Sequence, residues 1–522
     1  MNFLQPSFLK LDLNRPQNVR RRCLAQVTRR ILGTLVLWTL MPVLLAAGSI
    51  WVPVAEAQVS SGLKSAINQQ VRAAKRVAPE LGVHVVEVDS GLDVYSYNAD
   101  TQRIVASNTK LVSTAAALDR LGPGHFFETP LFLRGTLKGH ELDGDLAVVG
   151  GGDPTISGRF SNGDYFAVFR VWADRLKEAG IREVSGDLFL ATGLFDDQWV
   201  HPDWPKDQLD RWYEAPVASL SFNDNCVLVK AEPIPNADGT ARTSLVPPLP
   251  FYRLQGKVDI TTQPRRQWIR MGRKTDSPTP EEERTFQIAG RIHHRTEQLD
   301  KWVTVANPVA YFGVALREAL RQEGVTVRGR VLKVSALSGS WRQAAVHRTD
   351  LMTALEIINK RSQNFYAESV LKLLGALACD EGSWPAGIRA VQEFLDEVGL
   401  DRSAYNLADG SGMSRNNRFT PRQLTTLLRY MDAHAWATEF ESTLPVSGEQ
   451  GLSWEKRLSK PPYLGNVRAK TGTLNAVSTL SGYAVGRSGK RYAFSILCNR
   501  SRSSWQSKGA QDAILRALID NG

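Results

Sequence analysis

The stretch SNTKLVSTAAALDRLG, residues 107–122, sets a polar tetrad directly before an alanine-rich apolar run. The change of character marks a helix start, with Gly122-Pro123-Gly124 as its stop signal. Ser107 and Lys110 stand three positions apart, so hydroxyl and amine share one helical face. A helix N-terminus beside them favours a nucleophile's anion and the neutral form of the amine, which lets a lysine act as base toward a hydroxyl. Taken alone, S-x-x-K is more often a cap followed by a surface lysine. The tetrad also begins at Ser7, Ser61, Ser369 and Ser453, so something else must select Ser107.

Two further short motifs do so. S-x-N begins at Ser96, Ser221, Ser362 and Ser414, whereas K-T-G occurs once, at Lys470-Thr471-Gly472, on an apparent strand and followed by Thr473. Ser7 lies in the N-terminal leader, and Ser453 leaves no room for a middle motif. Ser369 follows Ser362-Gln363-Asn364 inside a helix, and the lysine after Ser61 precedes the first strand. Only Ser107, Ser362 and Lys470 give a helix-start S-x-x-K, then S-x-N among helices, then a strand-borne K-T-G. That order resembles the active-site-serine penicillin-recognising enzymes.

The likeness extends to longer text. GGGDPT (150–155), WYEAPVASLSFNDNCV (212–227) and LADGSGMSRNNRFTP (407–421) are similar to segments of class C low-molecular-mass penicillin-binding proteins. That family comprises D-alanyl-D-alanine carboxypeptidases and endopeptidases with a large insertion between S-x-x-K and S-x-N. Here 255 positions separate Ser107 from Ser362, room for such an insertion. The resemblance covers nearly everything after about residue 58. It implies an α/β fold with a penicillin-binding/serine β-lactamase-like catalytic domain, an antiparallel sheet covered by helices, carrying a large β-rich insertion. The long arginine-rich leader departs from expectation and bears on localisation rather than chemistry.

Periodicity gives the same division. Leu63, Ile67 and Val71 recur every four residues, then 82–88 and 93–97 read as a hairpin around Asp89-Ser90-Gly91. From 125 to 345, short β-type runs such as LFLRGTLKG, GDLAVVGGGDP and KWVTVANPV alternate with turns, and one helix is expected over 165–178. Helices return over 350–360, 365–377, 384–398 and 421–433. Strands follow at 467–470, 479–485 and 492–498, with a closing helix over 505–519. Strands at both ends with helices between imply one sheet assembled from N- and C-terminal segments. The expected units are a catalytic domain of residues 58–124 and 346–522 and a β-rich inserted region, 125–345, in two subdomains. Residues 1–57 are a signal peptide or N-terminal anchor.

In the leader, Arg20, Arg21, Arg22, Arg29 and Arg30 precede an apolar run from Ile31 to Ala47, and Ala55-Glu56-Ala57 has the form of a cleavage site. Cleavage predicts a mature chain from Gln58 in the periplasm; retention predicts a membrane anchor, and peripheral membrane association is left open. The net charge of +11 owes much to this leader, whose seven Lys/Arg face two Asp/Glu. What remains is a mild excess without dense basic runs, which argues against nucleic-acid binding. Cys226, Cys379 and Cys498 are too scattered for a disulfide framework, although export permits one pair. No C-x-x-C or H-E-x-x-H occurs, so no metal and no cofactor is expected.

The residues suggest roles. Ser107 attacks the carbonyl of the penultimate D-alanine of a D-Ala-D-Ala terminus, with Lys110 as base, its pKa pushed down by the neighbouring cation Lys470. Ser362 relays a proton to the leaving amine, and Asn364 holds Lys110 and the substrate amide. Thr471, Thr473 and Lys470 suit a terminal carboxylate, Gly472 lets the substrate backbone approach, and the N–H groups of Ser107 and Thr473 form an oxyanion hole. Asp153, after three glycines and before Pro154, is assigned an outward-pointing carboxylate that binds the free amine of the diamino acid. Its competing reading is a turn cap. Expected partners are peptidoglycan peptides ending in D-Ala-D-Ala or cross-linked, with β-lactams as inhibitors. The alternatives are a β-lactamase or esterase of the same fold, or a non-catalytic cell-wall scaffold.

Overall fold

The computed structural model describes residues 60–276 and 278–522. The leader, and with it the choice between cleaved signal and anchor, lies outside the described residues. The elements that frame the site are α1 (Ser61–Ala74), β1 (Glu80–Glu87), β2 (Asp93–Tyr97), α2 (Thr109–Leu121), α3 (Leu351–Lys360), α4 (Asn364–Cys379), α5 (Trp384–Val398), α6 (Pro421–Asp432), β3 (Val467–Leu474), β4 (Val477–Val485), β5 (Arg491–Asn499) and α7 (Ser504–Asn521). The sheet runs β3-β4-β5-β1-β2, antiparallel throughout, so the first and last parts of the chain share it.

Both faces of this sheet are covered, which is why β1 and β5 are buried at nearly every position rather than alternately. Leu81, Val83 and Val85 of β1 and Phe494 and Ile496 of β5 pack against Leu63, Ile67 and Val71 of α1 and Ile514, Leu515 and Leu518 of α7. The opposite face presents Val86, Ala493 and Leu497 to the helical layer of α2 and α4–α6. Each fully buried large aliphatic side chain contributes roughly 1.5–3 kcal/mol. Helix α4 is apolar on almost all sides and runs through the middle of that layer, which fixes the position of its N-terminal Asn364.

The insertion leaves after α2 as strand Phe126–Lys138 and returns as Arg342–Asp350, which pairs with it so that Asp350 faces Phe126. Entry and exit therefore coincide, and the inserted sheet runs to Asp350, where the Asp350 side chain caps α3 by accepting from Thr353 N–H. This sheet has seven strands. Among the described residues, two smaller sheets, one of three strands and one of four, lie in the same insertion.

The helix expected over 165–178 is Ala167–Glu178. A second inserted helix, Pro308–Gln322, replaces part of the run KWVTVANPV that reads as β. Its strand ends at Thr304, and Asn307-Pro308 starts the helix: Asn307 accepts from Ala310 N–H and Pro308 takes a first-turn position, where its missing N–H costs nothing. No helix among the described residues is long and apolar enough to cross a membrane.

Candidate active site

Ser107 lies in a single 3-10 turn, Ala106–Asn108, that feeds into α2. Side chains three apart eclipse one another in such a turn, and Lys110 Nζ is 3.0 Å from Ser107 Oγ. The turn is tied to the sheet at several points. Asn108 donates to the Lys470 carbonyl (2.7 Å) and accepts from the Ser481 hydroxyl (2.9 Å), while the Thr479 hydroxyl donates to the Val105 carbonyl (2.8 Å). Ala106 is held at φ +47° and Ser362 at φ +57°, left-handed values that cost roughly 1–2 kcal/mol for L-residues and persist only where the surroundings enforce them.

Lys110 is fully buried, and its amine has three partners: the Ser107 hydroxyl, Asn364 Oδ1 at 2.7 Å and the Ser411 carbonyl at 2.6 Å. A neutral amine has two N–H bonds and one lone pair. Two of these partners can only accept, so they take the N–H bonds and leave the lone pair facing the one partner able to donate, Ser107. Burial brings the Lys110 pKa down to about 7, against the raising effect of Glu368 and Asp409. The lowering therefore comes from desolvation and not, as the motifs suggest, from Lys470. The like-charge effect acts on the other partner: burial, and after it the Lys110 charge, hold Lys470 well below the usual lysine range.

Lys470 Nζ donates to Ser362 Oγ and to the Thr471 carbonyl, both at 2.9 Å. The Asn364 oxygen holds Lys110, and its Nδ2 donates one N–H to the Tyr213 carbonyl of the insertion at 2.7 Å, which leaves its second N–H for a substrate amide. Gly472 faces the nucleophile's own turn. A Cβ there would lie 2.2 Å from Thr479 Oγ1 and 2.9 Å from the Ser107 nitrogen, so glycine is what lets β3 sit against Ser107. Gly472→Ala should separate strand from turn, costing about 1–3 kcal/mol of stability and slowing acylation at least tenfold; thermal melting and β-lactam labelling rates check this.

The competing S-x-x-K at Ser369 is structural. Lys372 pairs with Asp196 (2.6 Å), and Ser369 donates to the Phe365 carbonyl of its own helix. Asp153 does not point outward. It is 1% exposed, and its Oδ1 accepts from the Thr155 N–H (2.8 Å) and hydroxyl (2.7 Å), with His347 3.5 Å from its other oxygen. The carboxylate is thus buried as the cap of its own turn, which corrects the expectation that Asp153 points outward.

Glu368 is absent from the motif reading, although it stands four residues after Asn364 on the same face of α4. Fully buried, it accepts from the N–H groups of Gly410 (2.9 Å) and Ser411 (2.7 Å) and from Trp384 (2.8 Å), and so aims the Ser411 carbonyl at Lys110. The one acid in the largely apolar run NFYAESVLKLLGALAC is the available signal. Burial pushes its own pKa up to about 7. Because the Glu368 anion raises the Lys110 pKa, Glu368→Gln should move the acid limb of acylation to lower pH. It should also lower the plateau on the order of tenfold through the misplaced loop, as a stopped-flow pH series would record.

Above Ser107 is a cavity of about 350 Å³ lined by Ser362, Thr471 and Thr473 and by four cationic side chains, Lys360, Arg361, Arg457 and Lys508; none of its lining residues is a carboxylate. Beside it β3 forms the edge of the sheet; residues 445–447 bridge its first part, Val446 opposite Arg468, and an extended chain can pair with it beyond that bridge.

Residues 63–519 match the D-Ala-D-Ala carboxypeptidase 3 (S13) family. The chain is 30% identical to the D-alanyl-D-alanine carboxypeptidase of Actinomadura sp. (strain R39), over 84% of this chain and 81% of that one. It is 26% identical to D-alanyl-D-alanine carboxypeptidase DacB of Haemophilus influenzae, over 84% and 89% respectively. The solved structure of penicillin binding protein 4 (dacB) from Haemophilus influenzae shares the fold, with a TM-score of 0.72 at 24% identity, covering 86% of this chain and 98% of that one.

Proposed function

The chain belongs to the D-Ala-D-Ala carboxypeptidase 3 (S13) family, and on that premise we propose that it cleaves peptidoglycan stem peptides through an acyl-enzyme on Ser107, with neutral Lys110 as base. The observation that carries this reading is the partner set of the Lys110 amine, two acceptors and one hydroxyl around a buried nitrogen. Ser107 Oγ attacks the carbonyl carbon of the penultimate D-alanine while its proton passes to Lys110 Nζ. The N–H groups of Ser107 and Thr473 take the oxyanion, a contribution of about 3–4 kcal/mol per donor. The C–N bond then breaks as the proton held by Lys110 passes through the Ser362 hydroxyl, which Lys470 orients, to the leaving amine, and Lys110 is neutral again. Water attacks the resulting ester while its proton passes to Lys110; the acyl C–O bond then breaks, and that proton returns to Ser107 Oγ.

Thr471, Thr473 and the cationic cavity suit a leaving group that carries a free carboxylate, as a terminal D-alanine does and as the D-centre of a cross-linking diamino acid does. The same ester forms when a β-lactam ring opens on Ser107. Family membership favours the peptidase over a lactamase or an inert scaffold, and so does the retention of every group in the cycle. The catalytic unit is taken as residues 58–125 and 351–522, the expected boundary at 346 moving to 351 because the inserted strand runs to Asp350. Substrate of this kind lies outside the cytoplasm, in keeping with an export signal in the leader. Purified protein incubated with pentapeptide and cross-linked muropeptides should release D-alanine or separate the cross-links, read by mass spectrometry. Unchanged substrates would refute the assignment.

A further inference from the structure

A second cavity, of about 420 Å³, adjoins the catalytic one: Arg361, one residue before Ser362, lines both, and Gln363, one residue after, lines the second. Its volume falls in the range of roughly 300–1,000 Å³ usual for small-ligand sites. Trp212 and Trp302 stand in its wall with 42% and 38% of their surface exposed, Trp212 meeting Tyr213 edge to face. Polar groups lie between them. Asp224 is neutralised by Arg159 and accepts from Gln363 Nε2 at 3.0 Å, which leaves the Gln363 carbonyl oxygen, on a residue only 6% exposed, without a hydrogen-bond partner. The consecutive residues Asn223, Asp224 and Asn225 are all left-handed, at φ 52°, 54° and 51°, so the backbone of this wall is held in a costly shape.

We propose that this cavity binds an N-acetylated hexosamine of the glycan strand whose stem peptide occupies the Ser107 cleft. A pyranose ring offers an apolar C–H face to an indole and a rim of hydroxyls to guanidinium and amide groups, and its acetamido N–H supplies the donor that the Gln363 carbonyl lacks. The wall's one carboxylate, Asp224, is paired with Arg159, and a second guanidinium, Arg361, donates to the Gly451 carbonyl, so hydroxyl and amide acceptors of a neutral sugar find donors here. Continuity through Arg361 places sugar and peptide of one substrate in adjoining cavities. The inference rests on the peptidase reading above.

The test compares one pentapeptide with and without its N-acetylated disaccharide. The wild type should cleave the sugar-bearing form with at least about tenfold higher kcat/KM, mainly through KM, the scale of one good aromatic contact. Trp302→Ala should bring that ratio close to one while bare-peptide cleavage and benzylpenicillin acylation stay unchanged; Trp302→Phe should keep most of it. With the wild type, free N,N'-diacetylchitobiose should compete against the sugar-bearing peptide and leave the bare peptide unaffected. A wild-type ratio of one, a ratio that survives Trp302→Ala, or no competition by the disaccharide overturns the sugar site. If the wild type cleaves neither peptide and takes no penicillin label, the peptidase reading fails as well.

Discussion

Lys110→Arg is expected to lower the rate of acylation by benzylpenicillin, and of peptide cleavage, by a hundred- to ten-thousand-fold, about the contribution of a positioned general base. The guanidinium stays protonated at every working pH, so it has no lone pair to offer Ser107. It also carries five N–H groups into a buried site whose acceptors are Asn364 Oδ1 and the Ser411 carbonyl. The wild type supplies the matching pH signature. Burial lowers the Lys110 pKa, and the active form is the neutral one, so the rate should rise about tenfold per unit toward pH 7 and level off above it. Since Lys470 is also held below the usual lysine range, the fall on the alkaline side should begin earlier than an ordinary lysine would allow. A rate independent of pH across the acid side, or an active arginine variant, would exclude a lysine base.

Ser107→Ala should remove β-lactam labelling entirely and reduce turnover on the order of a million-fold, the scale seen when a nucleophile that works as a unit with its base is deleted. The loss should be chemical and not structural. The Ser107 side chain caps nothing in its turn, and the turn is held by Asn108, Thr109 and Thr479. Thermal stability should therefore stay within about 0.5 kcal/mol of the wild type. Residual turnover near the wild-type rate would mean that another group attacks the substrate.

How much of this was legible in the residues depends on sequence distance. Ser107 and Lys110 meet because three positions in a helix start bring them together, and K-T-G lies on a strand whose pairing follows from apolar patterning. The sheet built from both chain ends was readable for the same reason, since α1, β1, β5 and α7 each carry a strong apolar signal. Asn364 and Ser411 reach Lys110 across separations of 254 and 301 residues, and no local pattern encodes such contacts. Glu368 announces itself only as an acid in an apolar helix; that its oxygens aim the 410–411 backbone becomes visible only after folding. Local chemistry also misled. The glycines and Pro154 around Asp153 indicate a tight turn correctly but do not say which way the carboxylate faces, and burial turned it inward. The cause of the Lys110 pKa was misread likewise, because desolvation depends on what surrounds a residue and not on its neighbours in the chain.

Location of the benzylpenicilloyl adduct by peptide mass spectrometry of the labelled wild-type protein tests the central claim most directly. The account predicts a single adduct on the Ser107 hydroxyl, absent from Ser107→Ala and formed slowly in Lys110→Arg. An adduct on Ser362, Ser411 or any other serine, with Ser107 unmodified, would contradict it.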